Sequence, residues 1–277
     1  MQCGYGDKRD MTHLLIFGLG YSSSHLARRL EARGLEVTGT TRDGRGGSVR
    51  FDDQRAVLAA LQNATHVLSS VPPAADGRDP VLELYGQAIA LSALDWIGYL
   101  SSTGVYGDAG GAWVDESAPI AGRRAGRNAA DAAWLGLRRE VRVFRLPGIY
   151  GPGRSALERV REGKAHRVDL PGQVFSRVHV DDIASAIIAS FGSAATGAFN
   201  IADDMPCSQN LVIEAAADML GMAWPEMIGL DDPVLSPMAR AFYAENRRVA
   251  NGRAKRELGW KPRFADFRSG FVKCIIA

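Results

Sequence analysis

The chain has 277 residues, 46% apolar and 23% charged, a balance that builds a globular core without disulfides or metals. A formal net charge of +2, with no long run of one sign, argues against nucleic acid or a membrane surface as partner. No apolar run has the length of a membrane-spanning helix, and Cys3, Cys207 and Cys274, scattered and off metal spacing, suit a reducing cytoplasm.

Residues 1–10 are polar, lack the apolar centre of a signal peptide and read as a disordered lead-in, with the fold starting at Met11. From there short apolar runs alternate with helical patterns. A strand over 13–17 (HLLIF) ends in a glycine turn, and a helix over 24–33 carries Leu26, Ala27 and Leu30 on one face. Strand 35–40, helix 54–62, strand 65–71, helix 79–91, strand 96–101, helix 127–137 and strand 141–146 continue the alternation. Such βαβ units, joined by right-handed crossovers, wind into an α/β doubly wound parallel sheet, a Rossmann domain over 11–147. After Pro147 the rhythm changes. The pattern predicts a loop over 149–154, short strands over 173–175 and 198–201, helices over 180–190 and 209–220, and a basic helix over 247–258 closed by Gly259. These suggest a smaller, mainly helical substrate lobe over 148–277, with a few segments returning to the first domain. Asp181 or Asp182 is expected to cap the helix starting at Val180.

The first site candidate is the turn Gly18-Leu19-Gly20-Tyr21-Ser22-Ser23, between the first strand and the first helix. Gly18 makes the tight turn, and Gly20 lets backbone approach a pyrophosphate. The helix start then offers free N–H groups and the positive end of its dipole. Ser23 stands where a third glycine is usual. At the end of the second strand, Thr41 and Arg42 place a hydroxyl and a guanidinium where a ribose 2′-phosphate would lie, with Asp43 one position late for a 2′-hydroxyl. This favours NADP over NAD, against the plain alternative that Arg42 is a solvated loop residue. The cluster Arg123, Arg124 and Arg127 reads as a solvated helix end.

The strand over 96–101 runs into Ser101-Ser102-Thr103-Gly104-Val105-Tyr106-Gly107. At the C-terminal end of a parallel strand, three hydroxyls face the cofactor crevice and can hold a substrate oxygen; a capped loop is the alternative. The segments GLGYSSSHLARRL, YLSSTGVYGD, DESAPI, RLPGIYGPGR, FSRVHVDDIASAI, FNIADD and AKRELGWKP follow one another over nearly all of 11–277. In these the chain resembles the extended short-chain dehydrogenase/reductase family, and most of all its atypical branch of NAD-dependent epimerase/dehydratase-like proteins. The resemblance implies Ser102 as the catalytic hydroxyl, with Thr103 beside it. It implies Asp52 or Asp53 near the adenine, and Ser69, Ser70, Val71 and Ser101 along the cofactor groove. Pro147, Ile149 and Tyr150 would lie by the nicotinamide. Arg177 would face a small-molecule substrate, in many relatives a nucleotide sugar. Relatives also pair as homodimers through two helices, here 79–91 and 127–137, although Arg127 and Asp131 suit solvent.

One departure bears on the chemistry. The family's proton-transfer pair is Tyr-x-x-x-Lys, and none of the seven tyrosines has Lys four residues on. If Asp131 matches the acidic residue that follows, Arg127 takes the lysine position and Arg123 that of the tyrosine; a register two residues later puts Ala129 and Ala125 there, and neither restores a phenol. Arginine keeps a charge by the ribose but exchanges no proton near neutrality. Tyr106 and Tyr150 are the stand-ins, each with packing as its plain alternative; His179 reads better as a loop support than as a proton carrier. No metal site is expected from five histidines without an i, i+4 pair. The expectation is an NADP(H)-dependent oxidoreductase or epimerase-like enzyme acting on a carbonyl or carbinol. Its rival is an NAD(P)-binding sensor or scaffold without catalysis.

Overall fold

Each apolar run buried on both sides becomes a strand of one parallel sheet, as a continuous rather than alternating pattern requires. The structure, a computed structural model, describes residues 12–276; the lead-in over 1–10 and Cys3 lie outside the described residues. The strands are β1 (His13–Phe17), β2 (Glu36–Thr41), β3 (Val49–Arg50), β4 (His66–Ser69), β5 (Trp96–Ser102), β6 (Trp113–Val114), β7 (Val141–Leu146), β8 (Gly148–Tyr150), β9 (Arg167–Val168), β10 (Arg177–His179), β11 (Gly197–Asn200), β12 (Met227–Ile228) and β13 (Arg248–Val249). The helices are α1 (Tyr21–Glu31), α2 (Gln54–Asn63), α3 (Pro80–Leu91), α4 (Ala125–Leu137), α5 (Ala156–Arg161), α6 (Val180–Phe191), α7 (Gln209–Leu220), α8 (Pro237–Phe242), α9 (Gly252–Glu257) and α10 (Phe267–Ile276).

Seven strands pair in parallel in the order β11-β7-β5-β4-β1-β2-β3. This is the doubly wound Rossmann sheet, with its order reversing between β1 and β4. One face packs Leu14, Ile16, Leu68, Trp96 and Phe144 against α1 and α6. The other packs Leu15, Phe17, Val67, Ile97 and Tyr99 against α2, α3 and α4. A third core, around Leu157, Ile213, Phe267 and Phe271, belongs to the helices after Pro147. That part of the chain also returns to the first: β11 extends the sheet beside β7, and α6 lies on α1.

Several boundaries move for local reasons. Helix α1 begins at Tyr21, three residues before the expected start, because Gly20 serves as its N-cap. Helix α3 is capped by Asp79, whose Oδ1 accepts from Val81 N (2.9 Å) and Leu82 N (3.0 Å), with Pro80 in the first turn. The loop expected over 149–154 opens as a strand, since β8 pairs with β10. The strand expected over 173–175 shrinks to a single bridge between Phe175 and Cys207. The basic helix expected over 247–258 is cut short: Arg248 N and Ala250 N bond Ala112 O and Val114 O across β6, so the helix starts only at Gly252. The cap of α6 is neither aspartate. His179 Nδ1 accepts from Asp181 N (3.1 Å), while Asp182 accepts from Arg263 N and Phe264 N.

Candidate cofactor and substrate cleft

A cleft of about 560 Å³ opens at the C-terminal ends of the sheet strands, next to the point where the strand order reverses. Its first wall is the turn after β1. Gly18 has φ +85°, and a Cβ there would lie 2.9 Å from Val71 Cγ2. Gly39 in β2 leaves the room that Leu19 fills, since a Cβ would come within 2.3 Å of Leu19 Cδ1. Ser23, in the third-glycine position, is buried and laces the turn: its Oγ donates to Gly18 O (2.7 Å) and accepts from Gly20 N (2.8 Å). Ser70 Oγ donates to the same Gly18 carbonyl (2.5 Å). Gly20 has no side chain to cap α1, so the N–H groups of Tyr21 and Ser22 find no acceptor among the described residues. A backbone cradle that a Cβ would fill, ending in free N–H donors, fits the pyrophosphate of a dinucleotide.

Gly20, Tyr21, Ser22, Ser23, Ser70, Ser101, Pro147 and Ile149 line this cleft, as do Ser102, Thr103 and Arg127. Other expected residues stand behind it or apart from it. Gly18 and Val71 support the turn from below, and Ser69 is buried with its Oγ unpartnered. Thr41 Oγ1 sits 2.7 Å from Ser48 Oγ and accepts from Gly44 N (3.0 Å), shaping the loop after β2. Arg42 is exposed at that strand end, joined there by Arg45, which the sequence reading passed over. Asp52 pairs with Arg50 (2.8 Å), and Asp53 Oδ1 caps α2 through Ala56 N (3.0 Å).

Under the chemistry loop lies a buried polar chain. Ser101 Oγ donates to Asp131 Oδ2 (2.6 Å), and Arg145 bonds both oxygens of Asp131 (2.7 and 3.1 Å). Arg145 Nη1 then donates to Tyr106 Oη (3.0 Å), which donates to Asn200 Oδ1 (2.7 Å). Asp131 is only 1% exposed, so the expectation that it suits solvent is corrected. Above this floor, Ser102 Oγ accepts from Gly104 N (3.1 Å), and its own proton has no acceptor among the described residues.

The rest of the lining is strongly cationic. Arg123 and Arg124, exposed at the start of α4, line the cleft together with the half-buried Arg127, and Arg154 and Arg247 join them. Arg123 and Arg247 share Glu245 (2.8 and 2.7 Å). Burial raises the Glu245 carboxyl, but hydrogen bonds from Arg247 and then Arg123 outweigh it and hold it below the ordinary glutamate value. Arg154 stacks over the Tyr21 ring, while Arg124 and Arg127 make no ion pair among the described residues. Glu245, Arg247 and Phe242 were hidden in the sequence because they reach the cleft from a segment more than a hundred residues beyond α4.

The remaining candidates point elsewhere. Tyr106 is buried in the polar chain. Tyr150 Oη donates to Asp266 O (3.3 Å), its ring lies against His179 and Phe271, and burial raises its pKa. Neither phenol lines the cleft, so the expected stand-ins are not at the site. Arg177 turns away from the cleft, bonding Phe175 O, Cys207 O, Cys207 Sγ and Gln209 Oε1. The one phenol among the described residues that lines the cleft, Tyr21, donates to Pro152 O (3.0 Å), and burial first of all pushes its pKa up to about 12. Among the described lining residues there is no His, Lys or Asp.

No family model matches the chain. It is 31% identical to the 3-diazoavenalumate denitrifying reductase of a Streptomyces species over 139 residues, 46% of this chain and only 45% of that protein. It is 30% identical to Protein YeeZ of Escherichia coli, over 78% of this chain and 86% of YeeZ. A conserved protein of unknown function from Silicibacter pomeroyi superposes with a TM-score of 0.85 at 38% identity, over 96% of this chain and 99% of the other. At 17% identity the human epimerase family protein SDR39U1, solved with NADPH, shares the fold (TM-score 0.75, 95% and 97% covered).

Proposed function

The chain belongs to the family of Escherichia coli Protein YeeZ, and from that premise we propose that it binds NADP(H) and works as an oxidoreductase or epimerase-like enzyme on a small carbonyl or carbinol substrate. The observation that carries this reading is the single cleft that runs from the glycine turn, past Ser102 and Thr103, to a wall of arginines. The turn Gly18–Ser23 would hold the pyrophosphate. Arg42, with Arg45 and Ser48 on the same loop, suits a 2′-phosphate. When bound, the cofactor supplies or accepts a hydride. Ser102, with a free hydroxyl proton, holds the substrate oxygen, and Leu100, Pro147, Ile149 and Phe175 keep water from the reacting carbon. Two sparse buried thiols, Cys207 and Cys274, suit the cytoplasm. A homodimer through α3 and α4 belongs to the same proposal, eased by the burial of Asp131.

The second reading, a cofactor-binding sensor or scaffold, is favoured by one observation: no described cleft-lining side chain exchanges a proton near neutrality. A fluorescence titration with NADPH and NADH, followed by a screen of carbonyl compounds and nucleotide sugars at 340 nm, separates the two. The expected result is tighter binding of NADPH, weakened about tenfold by Arg42→Ala, and turnover of at least one substrate that Ser102→Ala abolishes. Tight NADPH binding with no turnover of any compound would leave the sensor standing. Equal affinity for NADH, untouched by Arg42→Ala, would refute the cofactor preference.

A further inference from the structure

We propose that Ser102 and Arg247 together form an oxyanion subsite, so that the substrate oxygen held in the cleft is one that carries, or comes to carry, negative charge. This rests on the reading of the cleft as a substrate site and names the chemistry it serves. Arg247 comes from beyond α8, yet it is fixed against the chemistry loop. Its Nη1 donates to Gly107 O and to Glu245 Oε2 (2.7 Å), and its side chain is 15% exposed. Its Nη2 has no acceptor among the described residues. The two free donors meet at Gly104: a Cβ there would lie 3.3 Å from Ser102 Oγ and 4.0 Å from Arg247 Nη2. Glycine leaves that space open, and Gly104 lies outside the positive-φ region, so its role is room rather than backbone conformation.

The charge balance points the same way. Five arginines and one glutamate line the cleft, and that glutamate is shared by Arg123 and Arg247. A pyrophosphate at the turn satisfies the donors there and leaves Arg124 and Arg127 without an anion among the described residues and Arg123 and Arg247 with one glutamate between them. A fixed guanidinium beside a hydroxyl stabilises a developing oxyanion by charge, which requires no proton from the protein. That fits a cleft whose only described phenol, Tyr21, is tied to Pro152.

The test is calorimetric titration of the whole protein with sodium acetate and with inorganic phosphate, free and saturated with NADPH. Arg247→Gln removes the cation. Gly104→Ala removes no side chain and crowds Ser102 Oγ with one methyl group at 3.3 Å. Both variants are expected to weaken acetate or phosphate binding at least tenfold while NADPH affinity stays within about threefold of wild type. Stronger binding of acetate would identify a carboxylate-like group, and stronger binding of phosphate a phosphoryl group. Absence of binding by either anion to wild type, or binding that both variants leave unchanged, would overturn the subsite. Absence of NADPH binding by the wild-type protein would instead sink the proposed function, since the loss of anion binding to the free protein on Arg247→Gln and Gly104→Ala reads the subsite separately.

Discussion

The two walls of the cleft are built on opposite principles. The turn wall is backbone: Gly18 in a left-handed conformation, a carbonyl gripped by Ser23 and Ser70, and N–H groups left free at the start of α1. The other lining is made of long cationic side chains, drawn from the start of α4, the β8 loop and the segment after α8, with the Asp131–Arg145 pair buried where α4 meets β5 and β7. A wall of backbone tolerates little change of residue but carries little charge of its own. The side-chain lining starts from α4, which a buried ion pair, bonded also to Ser101 and Tyr106, ties to β5 and β7. Their dependence on support therefore differs, and substitution can separate them.

The largest effect is expected where α4 meets β5 and β7. Asp131→Ala strands Arg145, 4% exposed at its side chain, and leaves Ser101 Oγ without its acceptor. Removing one partner of a buried pair costs about 3–5 kcal/mol, which denaturant unfolding would register as a large fall in midpoint. A loss below about 1 kcal/mol would show that the network is incidental to the seating of α4. Asp131→Asn keeps an oxygen for one donor and should fall between.

Behind the turn wall the support is titratable. Helix α1 is clamped to α6 by His25 on Asp181 and by Arg29 Nη1 on Asp181 O (3.0 Å), and α6 is capped by the His179 ring. His179 Nδ1 also lies 3.9 Å from Asp181 Oδ2, as in an ion pair. Because the same Nδ1 accepts a backbone N–H, the ring is neutral there. Burial, first of all, lowers its pKa to about 4, against 6.5 for the unperturbed side chain. The unfolded chain then takes up the proton first. The stabilisation is present above pH 6.5 and is lost as pH falls towards 4, by about 3 kcal/mol at the end of that window. Asp182 and Asp203, with pKa values raised by burial to about 6 and 7, act in the opposite sense over part of the same range. The difference between wild type and His179→Asn, which retains a capping oxygen, isolates the ring. It should narrow from pH 7 to pH 4, and a difference independent of pH would refute the cap as a titrating support.

The same contrast explains what the sequence makes legible. The sheet was readable because runs such as LLIF, in β1, are apolar throughout, and a strand buried on both faces leaves that mark. The turn wall was readable because its geometry needs glycine and small hydroxyl residues at fixed spacing within six positions. The side-chain lining was not. Arg124 and Arg127 look like any solvated helix start, and only folding brings Glu245 and Arg247 across to them. Arg177 and Tyr150 misled for a related reason: a polar residue in a site-like motif is equally suited to bonding the interior of the lobe, and that is where their partners lie. Short strands such as β10 and β13, two or three residues long, carry too few positions to show a period.

The smallest of these effects tests the turn itself. Gly18→Ala changes no charge and removes no hydrogen bond. It places a Cβ on a backbone at φ +85°, which L-residues rarely adopt, and 2.9 Å from Cγ2 of Val71. Val71 is β-branched and stiff at χ1, so the contact is relieved mainly by moving backbone. The expected cost is about 1–3 kcal/mol of stability, below that of Asp131→Ala. The consequence for binding should be the larger one: shifting the Gly18 carbonyl disturbs the Ser23 and Ser70 bonds that aim the turn, and NADPH affinity should drop at least tenfold. Acetate and phosphate binding at the cationic lining should be unchanged. If the variant kept its NADPH affinity, the cofactor would not be held by the turn's backbone, and the division of the cleft into a wall of backbone and a wall of charge would fail.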